Sequence, residues 1–163
     1  MNIFALSEKP HEAARWHVDK HVVKMPLETA QILCAVRYQY GDKEVPYKPS
    51  HSNHPCCQWV AESAENYVWL CILGVELCKE YTHRYHKTHK CKAIIEDCLN
   101  KIPKRIPNKG RTKFVQVMPE SCRMDNPVLA YRHYYMQEKS HLANWKHRIV
   151  PFWWSECTYT EQK

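Results

Sequence analysis

The chain has 163 residues, of which 44% are hydrophobic and only three are glycine. This length is enough for one domain whose core needs neither disulfides nor metal, and the composition excludes a disordered or turn-rich chain. Lys and Arg outnumber Asp and Glu by 24 to 17, a net charge of +7. That charge is consistent with a polyanionic partner and equally with an ordinary solvated basic surface.

The cysteines and the first ten residues bear on location. Nine cysteines would indicate a disulfide scaffold in a short secreted chain, but MNIFALSEKP lacks the regions of a secretion signal. There is no C-x-x-C, which argues against a zinc ribbon or a thioredoxin-like site, and no apolar run approaches the roughly 20 residues of a membrane span. We expect reduced thiols in a monomeric, cytoplasmic protein with no membrane partner.

The first half of the chain predicts two helical units. Residues 11–24 and 27–40 both have helical periodicity, and Pro26 interrupts it, so we expect a kinked helix or two abutting helices. Gly41 ends this unit and begins a loop. Pro55 suits the first turn of a second helix, which we extend to about residue 86 from its apolar stripe.

The second half predicts two more helices around an irregular segment. A short helix covers residues 90–101, and the prolines and glycine of residues 101–125 indicate a loop. Asn126 and Pro127 then begin a last helix, which we extend to residue 148. The fold class is therefore all-α: a single-domain, compact helical bundle over residues 1–163, with a kinked N-terminal helix and a basic loop before the last helix.

The irregular segment carries a dense run of positive charge. Six bases fall within thirteen residues with no acid between them, namely Lys101, Lys104, Arg105, Lys109, Arg111 and Lys113. Proline and glycine hold such charges on an exposed loop, which favours phosphate contacts over a solvated surface.

Aromatic rings alternate with bases in the last predicted helix and after it. Rings beside cations suit stacking on exposed bases and pairing with phosphates, whereas rings at helical spacing equally indicate core packing. We predict nucleic-acid contacts for Arg132 and Lys139 and treat Trp153 and Trp154 as stacking candidates.

Histidines and one carboxylate are the remaining candidates for chemistry. His17 and His21 stand four apart and His51 and His54 precede another helix, but H-x-x-x-H supplies only two metal ligands and no H-E-x-x-H is present. We expect histidines that form hydrogen bonds or bind phosphate, without metal or cofactor. Glu28 lies in an apolar surround, where burial would raise its pKa for general-acid work or cation stabilisation; a capping carboxylate is the open alternative.

Three short motifs, taken in order, resemble the pyrimidine-dimer DNA glycosylases with AP-lyase activity, the endonuclease V-like family. They are an early His with a later Glu before an Ala/Gln/Leu run, an Asn-His-Pro element followed by an aromatic residue, and a helix ending Glu-x-x-x-Arg-aromatic. In this chain they are His17 and Glu28; Asn53, His54, Pro55 and Trp59; and Glu80, Arg84 and Tyr85. The resemblance spans roughly residues 1–90.

The resemblance implies a compact all-α fold and a reaction in which the N-terminal α-amino group attacks the sugar's anomeric carbon with help from a carboxylate. An α-amino group titrates near pH 8 in model peptides, so a useful neutral fraction exists at pH 7. The Schiff base releases the base and then permits strand cleavage. Carried over, the amine is that of Met1, because Asn2 is too large for removal of the initiator Met, and the carboxylate is Glu28. The partner is duplex DNA with a damaged or modified base, whose nucleotide is flipped; Trp16, Trp153 and Trp154 are candidates to stack on the gap.

The chain departs from the family pattern in two places. The family usually has Arg immediately before its catalytic Glu, whereas Leu27 stands here, and Lys24 one turn earlier is a substitute. The Asp-Lys-His element, Asp19 to His21, is similar instead to that of small bacteriophage proteins of unknown function that begin MNIF. That likeness would place the protein in the host cytoplasm but carries no function with it. The Asp-Lys-His element itself is foreign to the glycosylases, which is consistent with a different reaction on the same scaffold, such as processing a modified base.

These observations predict a DNA glycosylase/AP lyase-like enzyme. The predicted catalytic group is Met1, His17, His21, Lys24 and Glu28. The predicted nucleic-acid contacts are Lys20, Asn53, His54, Arg84, Lys104, Arg105, Lys109, Arg111, Lys113, Arg132, Lys139, Trp153 and Trp154. Two alternatives remain open: a non-enzymatic phage protein that binds nucleic acid or a host factor, and a histidine- or metal-dependent nucleotide or phosphoester enzyme.

Overall fold

Seven α-helices and two short 3₁₀ turns make up the regular structure of the computed structural model, which describes residues 1–157 and their side chains as far as Trp154. The helices are α1 (Pro10–Trp16), α2 (Asp19–Gln39), α3 (Pro55–Glu62), α4 (Ala64–Tyr85), α5 (Lys92–Asn100), α6 (Pro127–Glu138) and α7 (Phe152–Cys157). Residues 1–157 contain no strand, which confirms the all-α prediction. Residues 158–163 of the predicted domain lie outside the described residues.

The two long helices, α2 and α4, form the centre of the molecule, and α1, α3 and α5 pack against them. Gly74 allows the closest approach, because a Cβ there would lie 2.7 Å from Thr29 Cγ2 on α2 and 2.9 Å from Ile95 Cγ2 on α5. The N-terminal residues Ile3 to Leu6 are also buried in the core. This burial brings the amino terminus to the side of α2.

The break in the N-terminal helical unit is not where the sequence predicted it. α1 ends at Trp16, α2 begins at Asp19, and Pro26 lies inside α2. Pro26 has no N–H to donate to the preceding turn, yet helical residues continue on both sides of it. The interruption at His17 and Val18 instead allows Arg84 to reach the backbone carbonyls at the end of α1.

Two other predicted helices are shorter than expected. The unit from Pro55 to residue 86 is divided at Ser63, whose side chain accepts a 3.1 Å hydrogen bond from Asn66 N and caps α4. The helix from Pro127 ends at Glu138 rather than at residue 148, and α7 follows it. The Asn126 cap was predicted correctly, since its side chain accepts from Val128 N and Leu129 N.

Arg84 joins α4 to the junction of α1 and α2. Its side chain is fully buried, and it donates to Asp19 Oδ1 at 2.9 Å, to Glu80 Oε2 at 3.1 Å and to the carbonyls of His17 and Arg15 at 2.8 and 2.9 Å. All three nitrogens of the guanidinium are therefore engaged inside the protein. The prediction that Arg84 contacts DNA is wrong on this geometry.

The described cysteine side chains lie inside the bundle. The eight cysteines whose side chains are described, all except Cys157, are free and buried. No helix within residues 1–157 has both the length and the apolar character to cross a membrane.

Candidate active site

The amino terminus and Glu28 lie together beside α2. The Met1 α-amino nitrogen is 3.8 Å from Glu28 Oε2, and both side chains are about nine-tenths buried, with exposed fractions of 10% and 12%. Glu28 Oε2 also accepts a 3.0 Å hydrogen bond from Asn2 N. Two of the predicted catalytic groups are thus adjacent, a juxtaposition of residues 27 positions apart that only the fold can produce.

Lys24 forms an ion pair with the second oxygen of the same carboxylate. Its Nζ lies 3.1 Å from Glu28 Oε1, one helical turn away, while most of its side chain remains exposed. Lys24 therefore puts a positive charge beside Glu28 although Leu27, the residue preceding Glu28, is apolar.

A cavity of about 500 Å³ opens beside the amine and the carboxylate. Its volume lies within the range of small-ligand sites. Its lining includes Met1, Lys24 and Glu28 together with Arg123, Tyr134 and Lys139. Three basic side chains around one acid make this cavity suitable for an anionic ligand.

His21 lines the cavity and is held by two rings. Its Nδ1 is hydrogen-bonded to the Tyr135 hydroxyl at 2.6 Å, and its ring stacks on Phe4 at 4.4 Å between centroids. Burial, with smaller effects from His17, Lys139 and Lys24, lowers its pKa to about 3. His21 is therefore neutral at pH 7 and available for hydrogen bonding rather than as a cation.

His17, in contrast, belongs to the core. Its side chain is fully buried, does not line the cavity, and donates from Nδ1 to Ala13 O at 2.7 Å. Burial lowers its pKa to about 4, although the bond to Ala13 opposes this effect. The prediction of His17 as a catalytic residue is corrected, because the ring is fully buried away from the cavity. Its Nε2 is buried without a partner in the described residues.

The Asn-His-Pro element starts α3 beneath the amino terminus. His54 Nδ1 accepts a 3.1 Å hydrogen bond from Cys56 N, so the side chain caps the helix. Partial burial and then the positive charge of the Met1 amine lower the pKa of His54. Pro55 lines the cavity, whereas the exposed Asn53 lies at a different surface cavity. The DNA contacts predicted for Asn53 and His54 stay predictions.

The basic loop is exposed, as predicted, but three of its charges are paired, the first being Lys101, whose Nζ lies 3.0 Å from Asp97 Oδ1. Lys109 Nζ lies 3.3 Å from Glu62 Oε1, and Arg111 forms an ion pair with Glu8. Lys104 and Arg105 line a second cavity of about 720 Å³, and Lys113 is exposed. The chain runs from this loop directly to residues 116–118, which form part of the active-site cavity wall.

The basic residues predicted to contact DNA from α2 and α6 differ in whether they line the cavity. Lys139 lines the cavity, and Lys20 is exposed one turn before Lys24. Arg132 donates to Leu6 O at 3.0 Å and lies over the Trp16 ring. Its predicted DNA contact stays a prediction.

The two tail tryptophans pack against other rings of the protein. Trp153 is buried against Trp16 and Tyr135, so its predicted stacking on DNA is corrected. Trp154 is half-buried against Trp145, and its predicted contact is not tested.

Three residues of the site were missed by sequence reasoning. Arg123 and Gln116 lie in the irregular segment and reach the cavity only through the fold. Asn2 was considered only for its size, although it adjoins the amine and donates to Glu28. As for metal, the part of the chain that the structure describes contains no group of three or more His, Cys, Asp or Glu placed to hold an ion.

Comparison with known proteins identifies one family. The sequence model described as pyrimidine dimer DNA glycosylase matches residues 1–93, more than half of the chain. No curated protein and no solved structure was found to match. The matched part contains Met1, Lys24 and Glu28, whereas Arg123, Tyr134 and Lys139, which also line the cavity, lie beyond it.

Proposed function

Because the chain belongs to the pyrimidine dimer DNA glycosylase family, we propose that it is a DNA glycosylase with AP-lyase activity whose nucleophile is the Met1 α-amino group. The observation that carries this proposal is the 3.8 Å separation of that amine from Glu28 beside a cavity of about 500 Å³. Its substrate is duplex DNA with a damaged or modified base.

The proposed reaction forms and breaks bonds at one sugar. The neutral amine attacks C1′, the glycosidic bond breaks with its electrons going to the base, and opening of the sugar ring leaves an imine. Removal of a 2′ proton then expels the 3′ phosphate, and water hydrolyses the imine to restore the amine. Each step needs a base or a counter-charge next to the amine, and Glu28 is the carboxylate there.

Glu28 and Lys24 have separate roles in this proposal. Glu28 takes a proton from the attacking amine and stabilises the cationic imine, which lies within Coulombic reach of its carboxylate. Lys24 holds the other carboxylate oxygen at 3.1 Å and orients Glu28. His21, neutral and fixed by Tyr135, offers a hydrogen bond to the nucleotide from the cavity wall.

The cavity receives a single flipped nucleotide. Enzymes that act on a base in duplex DNA take it out of the stack. We assign Arg123 and Lys139, which line the cavity, to the phosphates on either side of the flipped nucleotide. Lys20 on α2, and Lys104 and Arg105 on the basic loop, extend the positive surface and contact the backbone farther away.

The first experiment is borohydride trapping on duplex DNA that contains an abasic site. We expect a covalent adduct with protein whose intact mass shows Met1 as the first residue, and no adduct with the same protein extended by one residue. An adduct that persists with the extended protein would exclude the amine as nucleophile. Absence of any adduct together with intact, salt-sensitive DNA binding would favour a non-enzymatic binder.

A second experiment defines the substrate. Duplexes with a cyclobutane pyrimidine dimer, with other damaged bases and with modified bases are compared for base release in single turnovers. If the amine is the nucleophile, the rate of base release should be unchanged by a chelator. Loss of base release on chelation would indicate the metal-dependent alternative.

A further inference from the structure

Asn2 fixes the chain next to the reactive amine through both its side chain and its backbone. Its Nδ2 donates to Val117 O at 2.8 Å, and its Oδ1 accepts from Ile3 N at 2.8 Å. Its backbone N–H donates to Glu28 at 3.0 Å. A chain terminus usually frays unless other contacts hold it. Here the hydrogen bonds that hold the terminus are made by the residue that follows the amine.

Tyr131 on α6 holds the segment to which Asn2 is tied. Its hydroxyl donates to Val115 O at 2.7 Å and accepts from Val117 N at 3.2 Å. The hydroxyl has one hydrogen, so its 3.2 Å approach to Asn2 Oδ1 is the weaker branch of a shared bond. Tyr131 is fully buried and does not line the cavity, so a substrate has no contact with it.

The Met1 side chain is itself nine-tenths buried and contacts α3. Its Sδ lies 3.8 Å from Cys57 Sγ of α3, while Asn2 is held by residues 115–117. Because the Met1 side chain and Asn2 both have partners, movement of the amine away from Glu28 is restricted.

We propose that Asn2, Tyr131 and residues 115–117 form a brace that holds the Met1 amine at its attacking position against Glu28. This inference rests on the proposed function, and it makes Asn2 and Tyr131 positioning residues. Displacement of a reacting group by about 1 Å can cost about 10²-fold in rate. Residues 115–117 and 131 lie outside the part of the chain that matches the family. Through the brace they set the position of a nucleophile inside that part.

The test compares Tyr131→Phe with Tyr67→Phe. Tyr67 is an equally buried tyrosine whose hydroxyl donates to Cys98 O at 3.0 Å, and it does not line the cavity. In single turnovers at saturating abasic DNA, we expect Tyr131→Phe to form the imine about tenfold more slowly, with unchanged DNA affinity. Tyr67→Phe should match the wild type in both. A purely structural role would give the two variants the same rate.

A second readout does not depend on DNA chemistry. The Met1 amine is acylated with a small reagent and its labelling rate is followed by peptide mass spectrometry. We expect severalfold faster labelling in Tyr131→Phe, because the loosened amine is less shielded, and no change in Tyr67→Phe. Equal labelling in the two variants would overturn the brace. Faster labelling without any DNA adduct in the wild type would support the brace and overturn the proposed function.

Asn2→Leu provides an independent variant, and the only one needed if Tyr131→Phe does not fold. Leucine is also too large to permit removal of the initiator methionine, and it loses the bonds to Val117 and Ile3. It should reproduce the slower imine formation and faster labelling. Wild-type values for both would overturn the brace.

Discussion

The guanidinium of Arg84 on α4 donates a 2.9 Å hydrogen bond to Asp19 at the start of α2. Glu80, one turn before Arg84, accepts from it and from Arg148, and Asp19 also accepts from Lys146 N. The Glu-x-x-x-Arg motif is therefore a buried ion network that joins the centre of the bundle to the C-terminal segment.

Arg84→Met should destabilise the protein strongly. It removes the ion-pair partner of Asp19 and leaves Glu80 with Arg148 alone, and breaking a buried pair typically costs about 3–5 kcal/mol. The free energy of unfolding from urea titration measures the effect. Lys79→Met, which removes an exposed pair with Glu76, is the control and should cost less than about 1 kcal/mol. Similar losses in both variants would contradict the network's role.

Gly74→Ala should also destabilise, because its Cβ would meet Thr29 Cγ2 at 2.7 Å and Ile95 Cγ2 at 2.9 Å. Overpacking of this kind costs about 1–3 kcal/mol. Thr29→Ser removes one of the two methyl groups, so the double variant should lose less stability than the sum of the single ones. Strict additivity in urea titrations would show that α2 and α4 are not in close contact there.

Stability should fall as the pH drops from about 6.5 to about 4. Burial lowers the pKa of His17 to about 4 and that of His21 to about 3, so the unfolded chain binds protons in this range that the folded protein does not. Each buried histidine then contributes a slope of up to about 1.4 kcal/mol per pH unit. The lowered pKa of Glu80 acts in the same direction but at lower pH. A denaturation midpoint that does not change with pH would contradict this assignment. So would a His17→Leu variant whose stability changes with pH as steeply as that of the wild type.

Several features were predictable from local sequence, and others were not. Helix content, the Asn126 cap and the exposed basic loop follow from periodicity, capping and proline placement, which are local. The break at Ser63 was missed because the apolar stripe continues across it, although Ser63 with Asn66 is a capping pair. The burial of Arg84, His17 and Trp153, and the approach of Arg123 to the cavity, depend on contacts between distant segments, which a single sequence does not reveal.

Lys104→Ala and Arg105→Ala should each weaken DNA binding by a similar factor on all sequences. A lysine or arginine that pairs with a phosphate releases about one counterion, so each substitution should lower the slope of log affinity against log salt by about 1. Lys109 and Arg111 already pair with Glu62 and Glu8, and their substitution should change the slope less. Fluorescence anisotropy at several salt concentrations measures this. Equal slopes for all four variants and the wild type would remove the basic loop from the DNA interface.

Glu28→Gln should keep DNA affinity and lose turnover. Glutamine has nearly the same shape and can still accept from Asn2 N, but it neither takes a proton from the Met1 amine nor balances the positive charge of the imine. Loss of a positioned acid or base costs about 10²–10⁴-fold in rate, which single-turnover base release measures. Glu76→Gln removes a carboxylate from an exposed pair on α4 and should leave the rate unchanged. Lys24→Met should fall between the two, since Glu28 keeps its bond from Asn2 but loses the cation that holds its second oxygen. Full turnover by Glu28→Gln would exclude this carboxylate from the chemistry. Unchanged DNA affinity in that variant would then show only that the site binds DNA without a catalytic acid at residue 28.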